Sequence, residues 1–247
     1  MSNFKGLVIL IFSLYVGFAI FALNGEEDVS FIFDALIVPT ITFFYIVFFN
    51  KKNILFLLFL LFYAFSDLMS LIIVLTIKEG SDLLYDVEYY VGNFLYILAY
   101  IFLSIKICKY LNFKDVIKLF KIHLLVLSIV NGYLLYVLQI AIRSNMVVVG
   151  LDYYLEFLYN IVMFVLLSVS FLNYFYRDNK KALYLFVGAL FIVFSEIVEF
   201  AYVYISPISF LSFVSTTLTI IAFFFFYKQA CYLNRLSKEN SFVVLEK

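Results

Sequence analysis

The sequence predicts an all-α fold, a polytopic membrane bundle of eight transmembrane helices, and three observations predict it. The 247-residue chain is 66% hydrophobic and only 14% charged, far less charge than the surface of a soluble domain carries. Apolar runs long enough to cross a ~30 Å hydrocarbon core recur from one end of the chain to the other. The basic residues alternate with these runs in the manner expected of cytoplasmic loops. No polar stretch is long enough for a separate soluble domain, so residues 1–247 read as a single integral membrane domain.

Taken in order, the spans read as Gly6–Leu23, Phe31–Phe49, Asn53–Ile77, Leu84–Cys108, Leu119–Ile142, Leu151–Phe175, Ala182–Ile205 and Ile208–Tyr227. The first follows Lys5 as a signal peptide would. Its apolar run is too long, however, and no small-x-small site ends it, so it reads as an anchor. The fourth and sixth spans open on polar residues. Neither Pro39 nor Pro207 visibly breaks a span. With the N-terminus in the cytoplasm, 15 of the 17 basic residues fall in cytoplasmic segments, and only Lys78 and Arg143 fall outside them. Losing or gaining one span would scramble that pattern, so charge supports the count of eight independently of hydropathy. Cys108 and Cys231 both fall at cytoplasmic helix ends, where free thiols are expected. The wealth of Phe and Tyr reads as general composition and carries no site.

The third and seventh spans share an echo, Phe65-Ser66-Asp67-Leu68 and Phe194-Ser195-Glu196-Ile197. Each acid lies 14 residues after the start of its span, and the two helices run in the same direction. Two four-helix halves related by an axis along the membrane normal would produce this pattern.

Eight acids lie within or at the edges of the spans, all in the outer half under this orientation. Asp34, Asp86, Glu88 and Asp152 sit at outer helix ends, where water can solvate them. Asp67, Glu156, Glu196 and Glu199 lie deeper. At 1.5 Å per residue, Asp67 and Glu196 are ~21 Å from the cytoplasmic ends of their helices. An acid at the centre of a helix in hydrocarbon costs about 2.5–3.5 kcal/mol on insertion scales, so such residues face a bundle interior or a wet cavity. No Lys, Arg or His lies at their depth. They must be protonated, hydrogen-bonded, hydrated or bound to a cation.

Polar residues on other spans form compatible stripes: Asp152, Glu156 and Asn160 on the sixth, and Ser128, Asn131 and Gln139 on the fifth. The fourth offers Asp86, Tyr90, Asn93 and Tyr100, and the eighth Ser209, Ser212, Thr216 and Thr219. Glu156, Asn160, Asn93, Tyr100 and Asn131 on these stripes could line the same space as the deep acids Asp67, Glu196 and Glu199.

Several chemistries are excluded. His123 is the only histidine, so a three-histidine zinc site cannot form. No G-x-S-x-G elbow, Gly-x-Gly-Asp protease motif or phosphate-binding glycine loop occurs. The basic run Lys106–Lys121 reads as a topology determinant in contact with headgroups, and no nucleic-acid site is expected.

Residues 62–69, "FYAFSDLM", and 187–200, "VGALFIVFSEIVEF", carry a family resemblance, as does "FFFFYKQ", ending at Gln229. Together they resemble the YhhN-like, or lysoplasmalogenase, family of eight-helix membrane proteins over roughly Asp34 to Gln229. Ser66 stands where that family has glycine, and Glu196 where it has aspartate. The fourth-helix histidine has no counterpart after Gly92, which is followed by Tyr96 and Tyr100. The resemblance implies hydrolysis of the vinyl ether bond of a lysoplasmalogen, with Asp67 and Glu196 as the catalytic pair and Glu156, Asn160, Glu199, Asn93, Tyr100 and Asn131 as substrate-binding residues, a membrane lipid or lysophospholipid partner, no cofactor and a bacterial cytoplasmic membrane, in which the charge pattern puts both termini in the cytoplasm. Two other readings stay open: a cation- or proton-coupled carrier or receptor, and a divergent structural or interaction member.

Overall fold

The computed structural model describes residues 2–49, 51–76, 82–145 and 150–245. Lys78 and Lys247, used in the charge pattern, and Ile77 at a span end lie outside them. The described chain forms helices α1 (Ser2–Leu23), α2 (Glu27–Ala35), α3 (Ile37–Phe48), α4 (Ile54–Thr76) and α5 (Asp82–Cys108). These are followed by α6 (Phe113–Leu119), α7 (Lys121–Asn145), α8 (Leu151–Arg177), α9 (Lys180–Tyr204) and α10 (Ser209–Leu245). Eight segments are long and apolar enough to cross a membrane, with α2 and α3 together making the second and α6 too short to make one.

Three departures from the expected spans have physical causes. The second begins at Glu27, four residues earlier than expected, because Gly25 at φ +78° turns the chain directly from α1 into it. That span is also interrupted at Leu36, contrary to the expectation that no proline breaks a span. Pro39 has no N–H to offer the carbonyl of Ala35, and its ring crowds that carbonyl, so α2 stops at Ala35 and α3 starts afresh. Finally, α10 continues well past Tyr227 to Leu245, although its apolar part ends by Tyr232.

Neighbouring helices close a ring in the order α3, α4, α5, α8, α9, α10 and back to α3. Helix α1 lies outside it against α2, α3 and α10, and α7 lies outside against α8. The closest pairings join α4 to α5 and α9 to α10, and the echoed serines explain how. The Ser66 hydroxyl donates to the Gly92 carbonyl on α5 (3.1 Å), and the Ser195 hydroxyl donates to the Ser215 carbonyl on α10 (2.8 Å). Gly188 lets α9 come closer still: a Cβ there would lie 2.5 Å from Phe226 and 3.2 Å from the Ala222 carbonyl.

The two ends of the ring differ. At one, the rings of Phe56, Phe59, Phe223 and Phe226 pack against one another and against Tyr45 and Tyr63. This is the basic end, where Arg177 and Lys181 both lie over the Tyr110 ring. Lys106 differs from the headgroup contact expected of it. It is 1% exposed, sits over the Phe56 ring and donates to Gln229 Oε1 (2.9 Å). The opposite, acidic end is hollow.

Candidate functional site

Two cavities occupy the acidic end. The first, about 490 Å³, lies between α2, α4, α9 and α10. Asp34, Asp67, Glu196 and Glu199 all border it, and Glu27 and Asp28 stand at its rim. The whole polar stripe of α10, Ser209, Ser212, Thr216 and Thr219, lies along its wall, as the spacing expects. The second, about 520 Å³, lies between α4, α5, α8 and α9 and carries Glu88, Glu156, Asn93 and Asn160. Ser70, Tyr96, Tyr159, Glu196 and Glu199 belong to both walls. No Lys, Arg or His among the described residues lines either cavity.

Three of the four deep acids, Asp67, Glu156 and Glu196, are held by tyrosine hydroxyls. Tyr96 donates to Asp67. Tyr100 donates to one oxygen of Glu196, and Tyr159 to the other (2.6 Å). Tyr89 (2.8 Å) and Tyr204 (3.1 Å) both donate to Glu156 Oε1, and Tyr90 donates to Asp152. Thr216 and Ser215 of α10 border the same cavity as Asp34 and Glu199. A hydrogen bond to a charged group contributes about 1.5–3 kcal/mol, comparable to the insertion cost of the acid it serves. Asp34, Asp67, Glu196 and Glu199 share one cavity wall, so charges on them would repel one another.

The structure therefore brings together seven of the eight candidate residues. Asp67 and Glu196 share a wall of the first cavity, Glu199 joins them, and Glu156, Asn160 and Asn93 line the second. Tyr100 is buried behind Glu196 as its hydrogen-bond donor. Asn131 lies elsewhere. It is on the peripheral α7, where its amide donates to Ser168 of α8 (2.7 Å) and ties the two helices together. Asp34, expected at a solvated helix end, instead reaches into the first cavity from the last turn of α2. The tyrosines are the larger omission. Tyr89, Asn93, Tyr96 and Tyr100 recur every three or four residues and face one way, whereas Asp86 is exposed and Tyr90 turns to Asp152.

No cluster of three or more His, Cys, Asp or Glu suited to a metal ion occurs among the described residues. The fold and site thus define a polytopic helical membrane protein with an acid-lined interior at one end. Comparison with protein-family models, curated proteins and solved structures finds no match.

Proposed function

We propose that the chain is a membrane lipid hydrolase that cleaves the vinyl ether bond of a lysoplasmalogen-type lipid, with its acidic end outward and its termini in the cytoplasm. One observation carries the reading: Asp67 and Glu196, from two different helices, wall one cavity and are each held by tyrosine hydroxyls. Vinyl ether hydrolysis needs a proton delivered to carbon and a carboxylate beside the cation that results. Asp67 accepts a single hydrogen bond, from Tyr96, and has an oxygen left to carry the proton. It protonates the outer alkene carbon. Both oxygens of Glu196 are already occupied by tyrosine donors, which suits a carboxylate that faces the oxocarbenium ion. Water adds to that ion and returns a proton to the Asp67 carboxylate, and the neutral hemiacetal then collapses to a free aldehyde and an alcohol. An apolar groove of about 190 Å³ between α1, α3 and α10 offers room for the alkenyl chain, and Ile220 belongs to both its wall and that of the first cavity.

The test is aldehyde release from a lysoplasmalogen by the purified protein in proteoliposomes. Asp67→Asn and Glu196→Gln are each expected to lower the rate by about 10²–10⁴-fold while the melting temperature holds. Parent-like rates in both variants would remove the paired-acid mechanism.

A second reading, a carrier or receptor for a cation, is favoured by two specific features. No basic group among the described residues lines the cavity to meet a lipid phosphate. The span bearing Asp34 is also interrupted at Leu36, beside the cavity, and transporter sites form at such broken helices. Cation uptake into proteoliposomes that show no aldehyde release would select it.

A further inference from the structure

The wall of the first cavity selects against negative charge. Asp34, Asp67, Glu196 and Glu199 border it, and no Lys, Arg or His among the described residues lines it. Like charges brought together away from water oppose binding strongly. A phosphodiester keeps its negative charge even where carboxyl groups are protonated, so with the wall neutral there is still no cation to offset it. An ammonium at the far end of a headgroup does not remove the conflict, because the phosphate lies between it and the ether bond.

Tyr63 adds an unmet neutral donor to the same wall. It lies on α4 one turn before Asp67, on the same face. Its ring packs edge-on against Tyr96 (4.7 Å between centroids) and Phe223 (5.0 Å). The hydroxyls of Tyr96, Tyr100 and Tyr159 are taken by carboxylates. Tyr63 is 7% exposed, and its hydroxyl makes no hydrogen bond to a described residue. Unlike the unpartnered amides of Gln139 and Gln229, that hydroxyl is not sealed off, and the space it borders is the first cavity. A bound group that accepts from it completes its hydrogen bond.

We propose that the lipid taken by this cavity is a 1-alkenylglycerol, a vinyl ether lipid whose polar end is free glycerol hydroxyls with no phosphate. The inference rests on the hydrolase reading and names its substrate class. A glycerol hydroxyl does at this wall what a phosphate cannot: its O–H donates to Asp34 or Glu199, and its oxygen accepts from Tyr63. One water and one 1-alkenylglycerol give one aldehyde and one glycerol, by the bond changes already assigned to Asp67 and Glu196. The lack of a basic group, which tells against a phospholipid, is no obstacle to this substrate.

The test compares 1-alkenylglycerol with the 1-alkenyl-glycerophosphoethanolamine of the same chain, by aldehyde release from the purified full chain in proteoliposomes. The alkenylglycerol is expected to have the higher kcat/KM by about 10-fold or more. Asp34→Asn, which takes one negative charge from the wall, should narrow that ratio by about 5-fold. The ratio does not depend on how much of a variant folds. Tyr63→Phe keeps the ring and should raise KM for the alkenylglycerol by about 5–10-fold, with kcat held within about 2-fold. An equal or greater kcat/KM for the phospholipid, an unchanged ratio in Asp34→Asn, or an unchanged KM in Tyr63→Phe would each overturn the proposal, while aldehyde release by the parent would leave the hydrolase reading standing. Release from neither lipid would remove both.

Discussion

The acidic and basic ends of this bundle are built from the same helices by opposite solutions. At the basic end, aromatic rings fill the interior, and Lys106, the one buried cation among the described residues, has a neutral amide and a ring as its partners. At the acidic end the interior is open, and four carboxylates from three helices face one cavity. Buried charge is expensive in either place. One end reduces the expense by packing a single charge tightly. The other keeps space beside every charge and supplies tyrosine donors, which suits a surface meant to receive a ligand. Substitutions should therefore separate the ends: losses of activity at one, changes of stability alone at the other.

The largest effect is expected at the shared wall. Replacing both Tyr100 and Tyr159 by Phe removes both donors to Glu196. The carboxyl group keeps its place on α9 but loses about 1.5–3 kcal/mol of stabilisation per bond, and aldehyde release should fall by about 10²-fold or more. Rates in the double variant equal to those of the parent would mean that the tyrosines serve packing only, and the contrast between the ends would weaken.

Next in size is Gly188→Leu. The side chain would enter the space that Phe226 and the Ala222 carbonyl already occupy. Overpacking of this kind costs about 1–3 kcal/mol, so the melting temperature should drop, whereas the same substitution at Gly132, which has no atom within 4 Å of a Cβ, should leave it unchanged. Equal melting temperatures for the two variants would contradict the close approach of α9 and α10.

These contrasts also show what could be read from residues alone. The eight spans were legible because each must satisfy its backbone internally over a membrane's thickness, which leaves a long apolar run in the sequence. The echoed Ser-Asp and Ser-Glu pairs were legible because spacing and residue type coincide, and the serines do make equivalent bonds to the next helix. Asp34 was misplaced because a proline four residues after Ala35 moves a break, and no periodicity announces where that break falls. Most of the tyrosine donors were hidden by abundance: with 21 tyrosines, Tyr100 was picked out by its stripe, but Tyr89, Tyr96 and Tyr159 do not stand out from the composition as donors. Asn131 shows a further limit. Helical spacing gives the face on which a residue lies, but not the helix that the face meets, and here it meets α8 outside the ring.

The echoed serines give a smaller test. Ser66 bonds one carbonyl, whereas Ser195 also meets the hydroxyls of Ser215 and Thr219. Interhelical polar contacts of this kind average about 0.6 kcal/mol, so Ser195→Ala should lower the melting temperature more than Ser66→Ala does. The reverse order would mean that the two pairings are held by different forces despite their shared text.

The smallest effect is the one that distinguishes the ends most sharply. Lys106 is buried with no carboxylate against it, and the Nε2 of its partner Gln229 has no hydrogen bond. Neither group borders any of the cavities described above. Replacing a buried polar pair by apolar side chains of similar volume is often neutral or stabilising, because the cost of burying the charge goes with the charge. Lys106→Met combined with Gln229→Leu should therefore keep the melting temperature of the parent or raise it, and leave aldehyde release unchanged. Lys106→Met alone strands both polar atoms of Gln229 and should melt lower than the double variant. A loss of activity in the double variant without a loss of stability would show that the basic end takes part in function, and the division of labour between the two ends would have to be abandoned.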